Sequence, residues 1–284
     1  MARRSFFKPA FWAGVVLFAA GMAAGALWDL PLGHALYAPA SLPAILMEAF
    51  GYYPLYLPAA GLALCAMADK RLALPWRALC GCAALAGCAA LAWHSLTGLR
   101  RRGAPMPALF TCAVWLLLAV GGALALRRVG ASAARLGRAR FVCFWGTVYF
   151  AAELIAINLL KLVWARTRFD DMLAAGDFSR FTSWLQPFGQ GGSSFPSGHT
   201  AAACSVFILT LACDVCLKWN RRRTLVWALC WAYVAFMALC RLVIGRHYLS
   251  DTLAAAFVML LLYLGMRKTK WYRAGARELT APDT

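Results

Sequence analysis

The sequence predicts an all-α, polytopic transmembrane helical bundle, and three observations carry that expectation. Of the 284 residues, 63% are hydrophobic and only 14% charged, where a soluble domain carries about 25%. The apolar residues fall in runs of about 20, the length at which a helix crosses the hydrocarbon core of a bilayer. The net charge of +18, from 29 Lys and Arg against 11 Asp and Glu, sits mostly in short stretches between those runs. A nucleic-acid binder can be as basic. Charge confined to loops between spans instead sets topology and anchors on anionic lipid. Membrane lipids are therefore the expected surroundings, and nucleic acid is not an expected partner.

Eight runs are candidate spans: 11–30, 51–68, 75–94, 106–126, 141–161, 199–217, 224–243 and 249–266. The first follows Arg3, Arg4 and Lys8, a flank resembling a twin-arginine export signal. Because many spans follow, it reads as a retained first membrane helix. Gly21 and Gly25 form a small-residue notch of the kind that permits close helix approach. Pro54 and Pro58 interrupt the second run. With the N-terminus inside, the basic loops fall inside as well, except Arg100, Arg101 and Arg102. The eleven cysteines lie mainly in apolar runs, where a thiol packs as a small hydrophobe. Cys213-x-x-Cys216 has metal or redox spacing without a second pair, so neither metal nor cofactor is expected. Residues 1–140 thus supply about four N-terminal spans, and 141–284 form a second half that carries the polar motifs.

Three polar blocks break the apolar pattern, each at the end of a span. Ionisable groups at such depth are costly and mark a site. Lys161 and Arg168 stand seven residues apart, and a continuous helix would bring them nearly to one face, with Arg166 and Asn158 close by. Arginine offers a planar fork to phosphate oxygens, and lysine a point charge. Pro196-Ser197-Gly198-His199 reads as a helix start: Ser197 as the cap, Gly198 allowing close approach, and exposed amides inviting an anion. His199 in that first turn can protonate a departing oxygen. Arg241 ends the next span. His247 and Asp251 open the last one at i, i+4 spacing, where a carboxylate orients the ring and the free nitrogen can attack phosphorus.

In this order and spacing, Lys-x6-Arg, Pro-Ser-Gly-His and Arg-x5-His-x3-Asp resemble the three-part signature of the type-2 phosphatidic acid phosphatases, a superfamily that includes bacterial membrane lipid phosphatases and vanadium haloperoxidases. The resemblance covers 141–266 well and the first hundred-odd residues hardly at all. It implies a six-helix core with about two added N-terminal helices and a metal-independent reaction. It also implies His247 as nucleophile, Asp251 as its orienter, His199 as acid, and Lys161, Arg168, Ser197, Gly198 and Arg241 as phosphate ligands. Phe169 replaces the family's usual proline and Cys240 its usual serine, relaxing a turn and weakening a donor. The intervening segment 169–194 reads either as an outer-face lid or as a solvated linker.

The expected function is a membrane phosphatase acting on a lipid phosphate or diphosphate through a phosphohistidine. Candidate substrates are undecaprenyl diphosphate, phosphatidic acid, phosphatidylglycerol phosphate and lipid A phosphates. The expected location is a bacterial inner membrane, with the site facing the periplasm or exterior. A phosphotransferase using the same histidine, and a non-enzymatic anion or lipid transporter, are the competing readings. The sequence leaves the oligomeric state open.

Overall fold

A computed structural model describes residues 7–130, 132–189 and 191–280. The arginine pair Arg3–Arg4 lies outside the described residues. Those residues form helices joined by turns, with no strand. In order they are α1 (Phe7–Leu36), α2 (Leu42–Phe50), α3 (Leu57–Ala68), α4 (Leu74–Arg101), α5 (Pro107–Gly130), α6 (Ala133–Trp164) and α7 (Phe169–Ala175). After an irregular stretch come α8 (Gly198–Ala203), α9 (Leu209–Val215), α10 (Leu217–Asn220), α11 (Arg223–Val243), α12 (Leu249–Lys268) and α13 (Lys270–Glu278).

Seven helices are long and apolar enough to cross a membrane, and α2 with α3 makes an eighth if that pair, bent by 47°, is one span. The bend follows from proline placement. Pro43 and Pro58 each sit in the first turn of a helix, where a missing N–H costs nothing. Pro54 lies in the 3-10 turn between them. The run expected at 51–68 is therefore two short helices, and its first member begins upstream at Leu42. Beyond Gly198 the expected span is likewise segmented: α8, a 3-10 turn over Cys204–Ile208, and α9 follow end to end.

Large apolar side chains such as Leu17, Leu117 and Leu162 are more than 70% exposed, as suits contact with acyl chains. The interior is built mainly from α6, α8, α9, α11 and α12, around Tyr149, Phe207, Met237, Met259 and Tyr263. In lipid such helices associate through packing and interhelical hydrogen bonds rather than by escape from water. The Tyr149 hydroxyl accordingly donates to the Met259 carbonyl at 2.8 Å. The Gly21–Gly25 notch serves this internal packing. A methyl group on Gly21 would meet Leu253 at 2.7 Å, and one on Gly25 would meet Ser250 at 2.8 Å, so the notch seats α1 against α12 of the same chain. Cys213 is buried in the main core.

The N-terminal helices are not a separate layer. α1 packs along α12, α2 along α11, and α3 along α6. Residue 140, the boundary read from sequence, falls inside α6, which runs unbroken from Ala133.

Candidate active site

Helix α6 does not continue to Arg168. It stops at Trp164, where Ala165 takes a left-handed φ of 43° and its N–H closes on Lys161 O at 2.9 Å. The expectation of Lys161 and Arg168 on one helical face is thus corrected: a turn, not a helix, carries the arginines. Strand-like backbone bonds pin this turn from the other side. Phe188 N donates to Val163 O, Gly189 N to Trp164 O, Gly192 N to Ala165 O and Ser194 N to Arg166 O, all at 2.8–2.9 Å. Gly192 is needed there, because a Cβ would lie 2.1 Å from the Arg166 carbonyl oxygen. The segment after Arg168 is therefore neither a free lid nor a loose linker. Trp184 ties it down further by donating to Met22 O at 2.8 Å while its own carbonyl accepts from Trp164 Nε1.

The turn sends the arginines in different directions. Arg166 is wholly buried. It donates to Asp251 Oδ1 at 2.7 Å, Ser250 Oγ at 2.9 Å, Asp29 Oδ2 at 3.0 Å and Thr182 O at 2.7 Å, with its guanidinium 4.1 Å from the Tyr248 ring centroid. Each of its three nitrogens has a partner, so it is a structural counter-ion. Asn158 is exposed and bonds only its own helix, to Leu154 O. Arg168 instead donates to Ser193 Oγ at 2.7 Å and keeps a buried Nε without a partner. Phe169, in place of proline, is fully buried against His34 and Tyr37 and anchors the start of α7 under α1.

The three blocks meet at one end of the bundle. A Cβ on Gly198 would stand 3.0 Å from Lys161 Nζ, so the lysine lies over the second block. Ser197 caps α8 as expected, its hydroxyl accepting from Thr200 N at 3.3 Å, and its own N–H donates to Asp251 O at 3.0 Å. Arg241 is 2% exposed, yet its Nε and Nη1 have no hydrogen-bond partner. Its nearest carboxylate is Glu48, at 3.5 Å. Buried donors left open cost about 1–3 kcal/mol each, more when charged, so the free donors of Arg241 and Arg168 mark where an anion is wanted.

The histidine geometry departs from expectation in one respect. Asp251 does not bond His247: Oδ2 lies 3.7 Å from Nδ1, too far for a hydrogen bond. The partner of Nδ1 is the Ser194 carbonyl at 2.7 Å. A carbonyl only accepts, so Nδ1 carries the proton and Nε2 keeps its lone pair. Asp251 acts one step back, accepting from the Ser194 hydroxyl at 2.5 Å and from Tyr248 N at 2.9 Å. Burial, reinforced by the Arg241 charge and opposed by Asp251, pulls His247 down to about 4. The ring is therefore neutral across ordinary pH. His199 is oriented the same way, with its Nε2 3.2 Å from Glu48 O and its ring edge-on to Tyr52.

Two acids escaped the reading of the sequence: Asp29 on α1 and Glu48 on α2. Glu48 accepts from Arg102 Nη2 at 3.1 Å, sits beside Arg241, and lends its backbone oxygen to His199. A signal was present, since these are the only charged residues between Lys8 and Asp69, and acids within apolar spans mark sites by default. The same contact accounts for the odd basic loop. Arg102 lies at the histidine end, and its charge is matched by Glu48.

Residues 141–274 match a family model described as the PAP2 superfamily. No curated protein and no solved structure matches the chain.

Proposed function

We propose, from the PAP2 superfamily match over residues 141–274, that the chain is an integral membrane phosphatase cleaving a lipid phosphate or diphosphate through a phosphohistidine on His247. The observation that carries this reading is a neutral imidazole with a free Nε2 at the same end of the bundle as buried arginine donors that have no partner.

In the first step, the Nε2 lone pair of His247 attacks phosphorus and the bond to the leaving oxygen breaks. Positioning and charge neutralisation dominate such transfers. Lys161, Arg168, Arg241, the Ser197 hydroxyl and the Gly198 amide would hold the phosphoryl oxygens. The Ser194 carbonyl stabilises the developing charge on His247 through Nδ1–H, and Asp251 holds Ser194. With Nε2–H of His199 directed at Glu48 O, the acid is the imidazolium form: the leaving oxygen takes the proton from Nδ1 and leaves His199 neutral, ready to accept the proton of the attacking water. In the second step, water attacks the phosphohistidine, gives its proton to His199 and releases phosphate. Apolar helix surfaces beside the site suit a substrate whose tails remain in the bilayer. The basic loops at the opposite end favour a site facing away from the cytoplasm.

The test is release of inorganic phosphate by detergent-purified protein from a panel of lipid phosphates and diphosphates, with and without chelator. His247→Ala should abolish release while the protein still inserts and melts as the parent does. Unchanged turnover in that variant would reject the mechanism. A metal requirement removed by chelator would reject the metal-free step. Assaying the products with and without an acceptor alcohol separates hydrolysis from transfer.

A further inference from the structure

A sizeable cavity lies away from the histidines. It is an open cleft of about 660 Å³ at the far end of the bundle, where the start of α1, the end of α12 and α13 come together. The 20 residues of α12 separate it from the His247 turn, about 30 Å of helical rise. That is roughly one hydrocarbon thickness, so the cleft lies at the opposite membrane surface.

Its lining pairs cations with apolar surface: Arg267, Lys268, Arg273 and Arg277 stand beside Trp12 and Leu264. The one carboxylate in the lining, Asp214, is already engaged. It accepts from Arg223 at 2.5 Å, from Arg267 at 2.6 Å and from the Tyr272 phenol at 2.5 Å. No carboxylate pairs with Lys268, Arg273 or Arg277 among the described residues. Arg267 Nε is buried without a hydrogen-bond partner, although its Nη2 is held by Asp214. An anion in the cleft would neutralise Lys268, Arg273 and Arg277. A soluble anion would gain nothing from the apolar wall, whereas a phospholipid uses both. The exposed Trp12 and Trp271 are the side chains that favour the headgroup region of a bilayer.

From this we infer that the cleft binds an anionic phospholipid of the leaflet opposite the candidate active site. The headgroup phosphate sits on Arg267, Arg273 and Arg277, and an acyl chain lies along Trp12 and Leu264. Arg273 and Arg277 are exposed and make no side-chain bond that the fold needs, so they can be changed without unfolding the protein.

The experiment is a lipid titration of the full chain in detergent, read by melting temperature. The probes are phosphatidylglycerol, phosphatidylcholine and the soluble diester glycerophosphoglycerol. None is a phosphomonoester substrate, and the cleft variants below, which leave the histidine site intact, separate binding here from product binding there. Phosphatidylglycerol should raise the melting temperature and the other two should not. Arg273→Ala/Arg277→Ala should weaken that response at least tenfold with an unchanged lipid-free melting temperature, and Arg273→Lys/Arg277→Lys should keep most of it. Equal stabilisation by phosphatidylcholine, or an undiminished response in the alanine variant, would overturn the inference. Stabilisation by glycerophosphoglycerol at matched concentration would assign the cleft to a soluble anion instead. If the alanine variant melts early without lipid, the lysine variant against Arg273→Gln alone decides the same question.

Discussion

His247 owes its readiness to a backbone oxygen, not to the carboxylate that its spacing advertises. The i, i+4 pair is real, but Asp251 reaches the ring through Ser194 rather than directly. Because burial and Arg241 hold His247 near 4, the acid limb of kcat/KM should fall near pH 4 rather than near the ordinary histidine value of about 6.5. The same depression lowers folding stability as pH drops from about 6.5 to about 4, where the unfolded chain binds a proton that the folded chain does not. A pH–rate profile beside pH-dependent melting checks both. Ser194→Ala removes a hydroxyl bonded to a carboxylate, an interaction of about 1.5–3 kcal/mol. It should reduce kcat/KM roughly 10- to 100-fold and move the acid limb upward, since Asp251 can then close on the ring. A purely structural serine would leave that limb in place. Arg241→Ala should cost a similar factor in kcat/KM, with the limb shifted upward because a nearby cation is gone.

Helix ends, rather than helices, build the site, and their legibility in the sequence differs for physical reasons. Ser197 capping α8 was readable because capping depends on neighbours in sequence. The end of α6 was not: nothing about Ala165 announces a left-handed residue, and the Val163–Arg166 strip that holds it is bonded from more than twenty residues away. Gly192 is the partner that makes this pairing possible. Gly192→Ala should therefore displace the Arg168 turn and depress phosphate release at least tenfold, with a lower melting temperature. Gly191, whose added Cβ would meet nothing within 4 Å, is no control because its φ of 80° is itself strained for other residues. Gly122→Ala in α5, in open space with helical backbone, is the fair comparison and should be silent.

Across the bundle, the family-matched half carries all three motifs, yet the first half completes their surroundings. The fold class, the spans and the convergence of the blocks were legible because hydropathy and motif spacing are properties of short windows. The Asp29–Arg166–Asp251 chain was not, since it joins residues 137 positions apart. Removing one member of a buried ion cluster leaves uncompensated charge, typically 3–5 kcal/mol. Arg166→Met should accordingly lower stability by about that much and abolish phosphate release, whereas Glu48→Gln should spare the melting temperature more and raise KM. Melting curves and Michaelis kinetics in detergent distinguish the two. The position of Asp29 on α1 also bears on how this chain can be cut and joined. A fragment starting at α6 would keep every signature residue, yet Arg166 would lose one of its two carboxylates, and the Ser250 N–H and hydroxyl would lose their acceptor, Asp29. Grafting these motifs onto another membrane scaffold would then require transplanting α1 with them, so the motif-bearing half is not a portable cassette.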